Sequence, residues 1–501
     1  MKRIASIFFL FLSVAAFGQI SQEVESLYND ATFEQAIVGV CVMDRNGNVV
    51  AGVNTDKMLL PASNMKLIST GAALHVLGPD FSFETTLAYD GVIDDKVLRG
   101  NLYIIGGGDP TLGSKDSIAV PVEKTFAVWE KMIREAGIRR IEGCIVGDGR
   151  FFDGAAEEPT WLWNDIGTYY GAGVTGLMFY ENMQSFSVSA GPSEGTPINI
   201  KPSYPDCPWM DFRYACSTGK PGTGDRLYMY TSDLAPVAEI RGTFGVDRAA
   251  KRVDCANKYP EYTCATYFEK YLKKKGIACE GGAADYKLTT DCPARESTDD
   301  LTVIGSTLSP TLDRIAFETN HASNNVFAET LFRMLGRELT GSACYDSSYV
   351  AMNKALVELG LANVKSMKIQ DGSGLSRQNL VSPAALCKFL YAMSFSPAFV
   401  DFLESLPSPG FNGTLEYNMK GQPAALRSRI KVKSGSMNGV RCYSGYILPS
   451  DGTAPAGFAK GTSQLPEGAL IVSIMTNNCT SPNWKVRPAL DRLMVGISKY
   501  N

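Results

Sequence analysis

The first apolar stretch of the chain, Ile4 to Phe17, is interrupted only by Ser6 and Ser13 and follows Lys2 and Arg3. Behind it Val24, Leu27, Tyr28 and Ala31 recur at helical spacing, which predicts an amphipathic helix over 21–31. Two apolar runs, 38–43 and 49–53, flank Asn46-Gly47, a dipeptide that tolerates positive φ and so predicts a hairpin. Pro61 opens a proline-free segment, 62–77, rich in helix formers, and Gly78-Pro79 ends it.

From about Phe83 the pattern shortens. Residues 85–89, 98–105 and 141–146 read as strands with Gly, Asp and Pro between them. Strand-like runs and turns continue over 183–245, and 265–275 reads as a helix ended by Gly276. There is no fixed internal period. Helical patterning returns after Leu308 through Ile315, Phe317, Val326, Phe327, Leu331 and Met334. Residues 430–433 and 439–447 read as two strands joined by a tight turn. The run 470–475 is almost wholly apolar, as a central strand should be. A closing helix, 484–499, carries Pro488 in its early turns. A helix and hairpin at one end, with three strands and a helix at the other, predict one sheet built from both chain ends. The middle is then an insertion.

Length and composition sharpen this picture. A chain of 501 residues exceeds one ordinary core and predicts two or three domains. A hydrophobic fraction of 45% and a charged fraction of 20% are those of a globular protein. The apolar start is shorter than the roughly 20 residues a membrane span needs. Ala16 and Gly18 supply small residues for a cut before Gln19, so 1–18 reads as an export signal. No cysteine follows the run, which argues against a lipoprotein anchor. Without Lys2 and Arg3 the 48 basic residues become 46 against 52 acidic ones, a net of −6, and no basic tract is present. Nucleic acid is therefore not an expected partner. Twelve cysteines in an exported chain make disulfides plausible. Cys207/Cys216 and Cys255/Cys264, each nine apart, are expected as local bridges. Cys41, Cys442 and Cys479 lie in or beside apolar runs as small hydrophobes. The absence of Cys-x-x-Cys argues against zinc.

Three short motifs carry candidate chemistry. In Ser63-Asn64-Met65-Lys66, residues i and i+3 of a helix share a face, so a hydroxyl and an amine can meet. The hydroxyl needs a base to become a nucleophile. Lysine serves only when neutral, and bringing its pKa from ~10.4 to ~7 takes about 4–5 kcal/mol of destabilisation of the cation. The apolar neighbours Leu59, Leu60, Leu67 and Ile68 favour that outcome. Ser323-Asn324-Asn325 offers a hydroxyl for proton transfer and an amide for a substrate carbonyl, and also a helix cap. Lys433-Ser434-Gly435-Ser436 follows a strand; its glycine lets a ligand lie close to the backbone, and its cation and hydroxyls suit a carboxylate. Taken singly each motif is also an ordinary helix face, cap or turn. Their order, behind an export signal and on a proline-initiated helix and a strand, favours the catalytic reading.

Ser-x-x-Lys, Ser-x-Asn and Lys-Ser/Thr-Gly in this order resemble the signature of penicillin-binding proteins and class A β-lactamases. More narrowly, the chain resembles the D-alanyl-D-alanine carboxypeptidase/endopeptidases of the low-molecular-mass class C group. The stretches Gly106-Gly107-Gly108-Asp109-Pro110-Thr111-Leu112 and Asp371-Gly372-Ser373-Gly374-Leu375-Ser376-Arg377 resemble that group's own. So does the long gap from Lys66 to Ser323, which holds extra domains in the family. The resemblance implies an α/β (α+β) penicillin-binding/β-lactamase-like domain with an antiparallel sheet, formed by 19–84 and 296–501. A β-rich insertion of one or two domains would span 85–295.

It further implies roles. Ser63 would be the acylated nucleophile and Lys66 its base. Ser323 would relay a proton to the leaving amine, Asn325 would bind the substrate peptide group, and Lys433 would keep the site positive. Ser434, Gly435 and Ser436 would hold the terminal D-alanine, with the N–H groups of Ser63 and Ser436 as oxyanion donors. No metal or organic cofactor is implied. The implied partners are peptidoglycan stem peptides and β-lactams as covalent inhibitors, and the implied location is the periplasm. Ser434 stands where the family usually has threonine, and Met437 where leucine is usual; the hydroxyl is kept. The Gly106–Gly108 run lacks the Gly-Lys-Ser/Thr of a phosphate loop. His75 lies in the serine helix and reads as structural, and His321, near Ser323, has no obvious orienting carboxylate, so a Ser-His-Asp hydrolase fits poorly. The alternatives are a β-lactamase or esterase on the same fold, which the long insertion disfavours, and an inactive wall-binding protein, which the intact motifs disfavour.

Overall fold

The computed structural model describes residues 18–289, 292, 294–361 and 365–500. The chain divides into two compact units. The first is built from both chain ends and comprises the residues up to Asp80 with Leu312–Thr340 and Asp346–Asn501; the second comprises Phe81–Thr311 and Gly341–Tyr345. The expected export signal lies outside the described residues, except Gly18. Residues 18–28 are helical, and among the described residues no helix is long and apolar enough to cross a membrane.

The first unit holds a five-stranded antiparallel sheet in the order Val49–Val53, Ile37–Asp44, Leu470–Asn477, Val440–Ile447, Ile430–Met437. Leu470–Asn477 is the central strand, and all eight of its residues are buried, as a strand covered on both faces requires. The register pairs Val40 with Ile474 and Tyr443 with Ile474. One face, carrying Val40, Val42, Val472 and Ile474, packs with Val24 and Leu27 and with Leu490 and Leu493 of the closing helix Asn483–Ile497. The helices Pro383–Met393 and Met65–Leu77 belong to the same unit. Met65–Leu77 is buried from Met65 to Leu74 and ends at Gly78, whose φ of 85° no β-branched residue would take readily. At the first hairpin Gly47 takes φ 82°, while Asp44 Oδ1 accepts from the N–H groups of Asn46 and Asn48.

The second unit is wider than the expected insertion of 85–295. Thr302–Leu308 pairs antiparallel with Glu84–Tyr89 and so draws both flanks into this unit. Its main sheet runs Ala283–Asp285, Ile145–Asp148, Leu102–Gly106, Glu84–Tyr89, Thr302–Leu308, with the first three mutually parallel. It is less purely β than the sequence pattern suggested. The helices Val122–Glu135 and Pro260–Lys274 pack Phe126, Trp129, Ile133, Phe268 and Leu272 against Leu87 and Ile104. The strand expected over 98–105 is two strands, Val97–Arg99 and Leu102–Gly106, broken at Gly100. A side chain at Gly100 would lie 2.2 Å from the Asp90 carbonyl oxygen.

The expected local disulfides are not formed: all twelve cysteines are free. Cys207 is buried against Thr263 Oγ1 at 4.0 Å. Cys216 sits instead on the strand Asp211–Gly219 opposite Gly242. Cys255 lies on the strand Lys251–Ala256 opposite Gln184, and Cys264 lies inside the helix Pro260–Lys274, each buried as a small hydrophobe.

Candidate active site

The turn that carries Ser63 is shaped by close backbone contacts. A single 3₁₀ turn, Ala62–Asn64, leads into Met65–Leu77, and Ala62 takes a left-handed φ of 46°. Such a conformation in a non-glycine residue persists only where surroundings hold it. Two glycines do so. A Cβ at Gly374 would lie 1.9 Å from the Ala62 oxygen, and one at Gly435 would lie 2.6 Å from the Pro61 oxygen. Both approaches are therefore closer than any side chain permits. Asn64 Nδ2 donates to Ser444 Oγ at 2.8 Å and ties the turn to the sheet.

One helical turn beyond Ser63, Lys66 has no exposed surface. Its Nζ lies 2.6 Å from Asn325 Oδ1, 2.8 Å from the Ser373 carbonyl oxygen and 3.1 Å from Ser63 Oγ. A neutral amine has two N–H donors and one lone pair. The two shorter contacts use the donors, and the lone pair is left facing the Ser63 hydroxyl. Burial brings the Lys66 pKa down to about 7, against the opposing pull of Glu329 and Asp371.

Ser323 lies between the helices Leu312–His321 and Asn325–Thr340 and takes a left-handed φ of 58°. Its Oγ accepts from Lys433 Nζ at 2.9 Å, and the same amine donates to the Ser434 carbonyl at 2.8 Å. Lys433 is wholly buried, and burial together with the nearby Lys66 pushes its pKa well below the usual lysine range. A carboxylate arriving beside the two lysines would restore a cation between them. Ser434 Oγ and Thr414 Oγ1 are 2.8 Å apart, and Ser436 is exposed. Lys433, Ser434 and Ser436 lie on the edge strand Ile430–Met437, and Thr414 on the short turn Gly413–Leu415. Val432 N–H donates away from the sheet, to Pro407 O at 3.1 Å. By strand alternation the Ser434 and Ser436 backbone groups face that same outer side, open to an added strand.

Sequence reasoning missed the groups beneath this cluster. Glu329 is buried one turn after Asn325 on the same helix. Its carboxyl oxygens accept from Ser373 N at 2.7 Å and Gly372 N at 3.2 Å. Asp371 accepts from Gly374 N at 2.8 Å and Ser376 N at 2.6 Å. The 371–377 stretch is thus a structured turn, and its Ser373 carbonyl is delivered to Lys66. Burial and Asp371 raise the Glu329 pKa to about 8. The i+4 spacing from Asn325 could have signalled Glu329; Thr414 had no signal of that kind. His321 stacks on Phe317 with centroids 3.8 Å apart, and burial, Lys431 and Lys433 drop its pKa to about 4. It is a neutral packing group. Among the described residues no three His, Cys, Asp or Glu side chains are grouped to hold a metal.

A serine hydroxyl 3.1 Å from a buried lysine amine, at the start of a helix facing the edge strand of an antiparallel sheet, is an arrangement suited to acyl transfer. The chain belongs to the D-Ala-D-Ala carboxypeptidase 3 (S13) family, whose sequence profile it matches over residues 20–488. It is 27% identical over 482 residues to a D-alanyl-D-alanine carboxypeptidase of Actinomadura sp. (strain R39), covering 94% of this chain and 83% of the relative. It is 24% identical over 430 residues to the D-alanyl-D-alanine carboxypeptidase DacB of Haemophilus influenzae, covering 84% of each. The crystal structure of penicillin binding protein 4 (dacB) from Haemophilus influenzae shares the fold. Its TM-score is 0.77 at 20% identity, over 96% of this chain and 98% of that one. The family and fold implied by the motifs are therefore those of this chain.

Proposed function

We propose that the protein is a serine-type DD-peptidase that cleaves D-alanyl-D-alanine peptides of peptidoglycan through an acyl-enzyme on Ser63. The placement of Lys66 carries this reading: a fully buried amine, its donors engaged by Asn325 and Ser373, with Ser63 Oγ at 3.1 Å. As Ser63 Oγ bonds to the scissile carbonyl carbon, its proton passes to Lys66 Nζ. The oxyanion that forms is held by the Ser63 and Ser436 N–H groups, donors worth about 3–4 kcal/mol each in related acyl transfer. Ser323, hydrogen-bonded to Lys433, relays a proton to the leaving amine as the C–N bond breaks. Ser434 and Ser436 receive the terminal carboxylate on the edge strand, with Gly435 keeping that strand against the Ser63 turn. Water then attacks the ester and restores Ser63. With terminal D-alanine leaving, the protein acts as a carboxypeptidase; with a cross-linked amine leaving, as an endopeptidase. β-Lactams carry the same reactive amide and would form a stable ester on Ser63; penicillin binding protein 4 (dacB) of Haemophilus influenzae has been solved in complex with a β-lactam. In this reading the discontinuous first unit is the catalytic domain and Phe81–Thr311 the insertion. Residues 1–18 direct export, and the enzyme works in the periplasm.

Intact-mass analysis with penicillin, beside Ser63→Ala, tests the reading. A penicilloyl adduct on the native protein alone, with release of D-alanine from a D-Ala-D-Ala peptide, is expected. Rapid penicillin turnover without D-alanine release would make it a β-lactamase. Folded protein that binds peptidoglycan and never labels would make it a binding protein.

A further inference from the structure

Nothing in its own covalent structure fixes the Ser434 hydroxyl. Serine is unbranched at Cβ, so its Oγ can take any of three staggered positions. The neighbouring Lys433 amine does not hold it either, because its Nζ donates to Ser323 Oγ and to the Ser434 carbonyl. Among the described residues, Thr414 Oγ1 is the one hydrogen-bond partner of Ser434 Oγ, at 2.8 Å.

Thr414 is exposed, yet the backbone that carries it is anchored on both sides. Gly413 takes φ 64°, and a Cβ there would lie 2.5 Å from the His321 carbonyl oxygen. The turn Gly413–Leu415 therefore lies directly against the end of the helix Leu312–His321. On its other side Leu415 is wholly buried in the core with Val432 and Tyr443. Asn418 N–H closes the turn on the Leu415 carbonyl at 2.9 Å, and Asn418 Nδ2 donates to the Tyr443 hydroxyl at 3.0 Å. Tyr443 is itself the partner of Ser434 in the register of the two strands. The threonine hydroxyl is thus held over the serine by its surroundings.

A hydroxyl carries one proton, and a carboxylate can only accept. When Ser434 points its O–H at an arriving carboxylate, its oxygen is left free to accept from Thr414. The two O–H dipoles then line up head to tail toward the anion, and each strengthens the other. The contact selects one position of the serine hydroxyl and makes it a better donor.

We propose that Thr414 is a positioning residue for recognition of the substrate's terminal carboxylate, acting through the Ser434 hydroxyl and not by touching substrate. The inference rests on the reading of Ser434 as a carboxylate-binding group. That carboxylate keeps its charge between bound substrate and transition state, so its recognition shows in KM more than in kcat. Steady-state release of D-alanine from a D-Ala-D-Ala peptide tests it. Thr414→Val keeps the shape of the side chain, removes the O–H and sits at an exposed position. Its KM should rise about fivefold, the scale of one neutral hydrogen bond, with kcat little changed. Thr414→Ser, which retains the hydroxyl, should recover most of that loss. Ser434→Ala removes the group through which Thr414 acts, so the double variant Ser434→Ala/Thr414→Val should be no worse than Ser434→Ala alone. A native KM in Thr414→Val would overturn the proposal, as would a fall in kcat with KM unmoved. So would a double variant whose losses multiply, since Thr414 would then act on the substrate without Ser434. A native protein that releases no D-alanine would overturn the Ser63 reading itself, and this inference with it.

Discussion

At the scale of single residues, the reaction depends on the protonation of Lys66, which burial lowers and Glu329 and Asp371 oppose. The base form is the neutral amine, so acylation should be slow below the Lys66 pKa and rise as pH passes through about 7. Penicillin labelling rates followed from pH 5 to 9 check this, and a flat profile would remove Lys66 as the base. Glu329 acts one step back, through Ser373. In Glu329→Gln an amide NH2 is set against a backbone N–H, which displaces the Ser373 carbonyl from Lys66. Labelling should slow by about 10- to 100-fold, the scale of a misplaced catalytic group, with its pH limb staying near 7, because a Glu329 carboxyl raised to about 8 is largely uncharged where Lys66 titrates. A loss of thermal stability with the rate unmoved would reduce Glu329 to packing.

At the scale of elements, the site is a meeting of one helix turn, one edge strand and one loop, and two glycines set how closely they meet. Gly374 combines φ 86° with a Cβ position 1.9 Å from the Ala62 oxygen. Gly374→Ala must therefore displace the loop, and with it the Ser373 carbonyl, from Lys66. We expect stability to fall by about 1–3 kcal/mol, the scale of a forced left-handed residue, and penicillin labelling to fall with it. A variant that labels at the native rate would show that the loop does not hold the base. Much at this scale was legible in sequence. The serine helix is bracketed by Pro61 and Gly78, and the wholly apolar 470–475 run identifies a central strand. The helix Val122–Glu135 was overlooked although Phe126, Trp129 and Ile133 stand at i, i+3 and i+7, because it is embedded among short strands. Glu329 shares a helix face with Asn325, yet its burial could not be read. A glutamate in a helix ordinarily faces water, and only the packing of Gly372 and Ser373 against it, more than forty residues away in sequence, makes it a buried acceptor.

At the scale of the molecule, each of the two units has a large core of its own among the described residues. One gathers Val40, Val472, Ile474 and Leu490, the other Leu87, Phe126, Trp129 and Phe268. That a middle segment is inserted could be read from where the apolar strands stop and resume. Its limits could not, because they are set by the pairing of Glu84–Tyr89 with Thr302–Leu308, a contact between distant segments that no local pattern announces. Separate cores have an energetic consequence. Phe268 is fully buried, with its ring 5.0 Å from Phe126 and 5.2 Å from Trp129. Truncating it leaves an aromatic-sized void, which costs about 3–5 kcal/mol. In Phe268→Ala that cost should fall on the second unit, while the Ser63 turn, whose contacts lie in the first, keeps its geometry. Scanning calorimetry with and without penicillin separates the two. The substitution should lower one transition, and acylation should raise the other, since a ligand stabilises the unit that binds it. Labelling of the folded variant should match the native rate. A single transition that shifts as a whole under both treatments, with labelling lost in step, would mean that the units unfold as one and that the second core is part of what holds Lys66 in place.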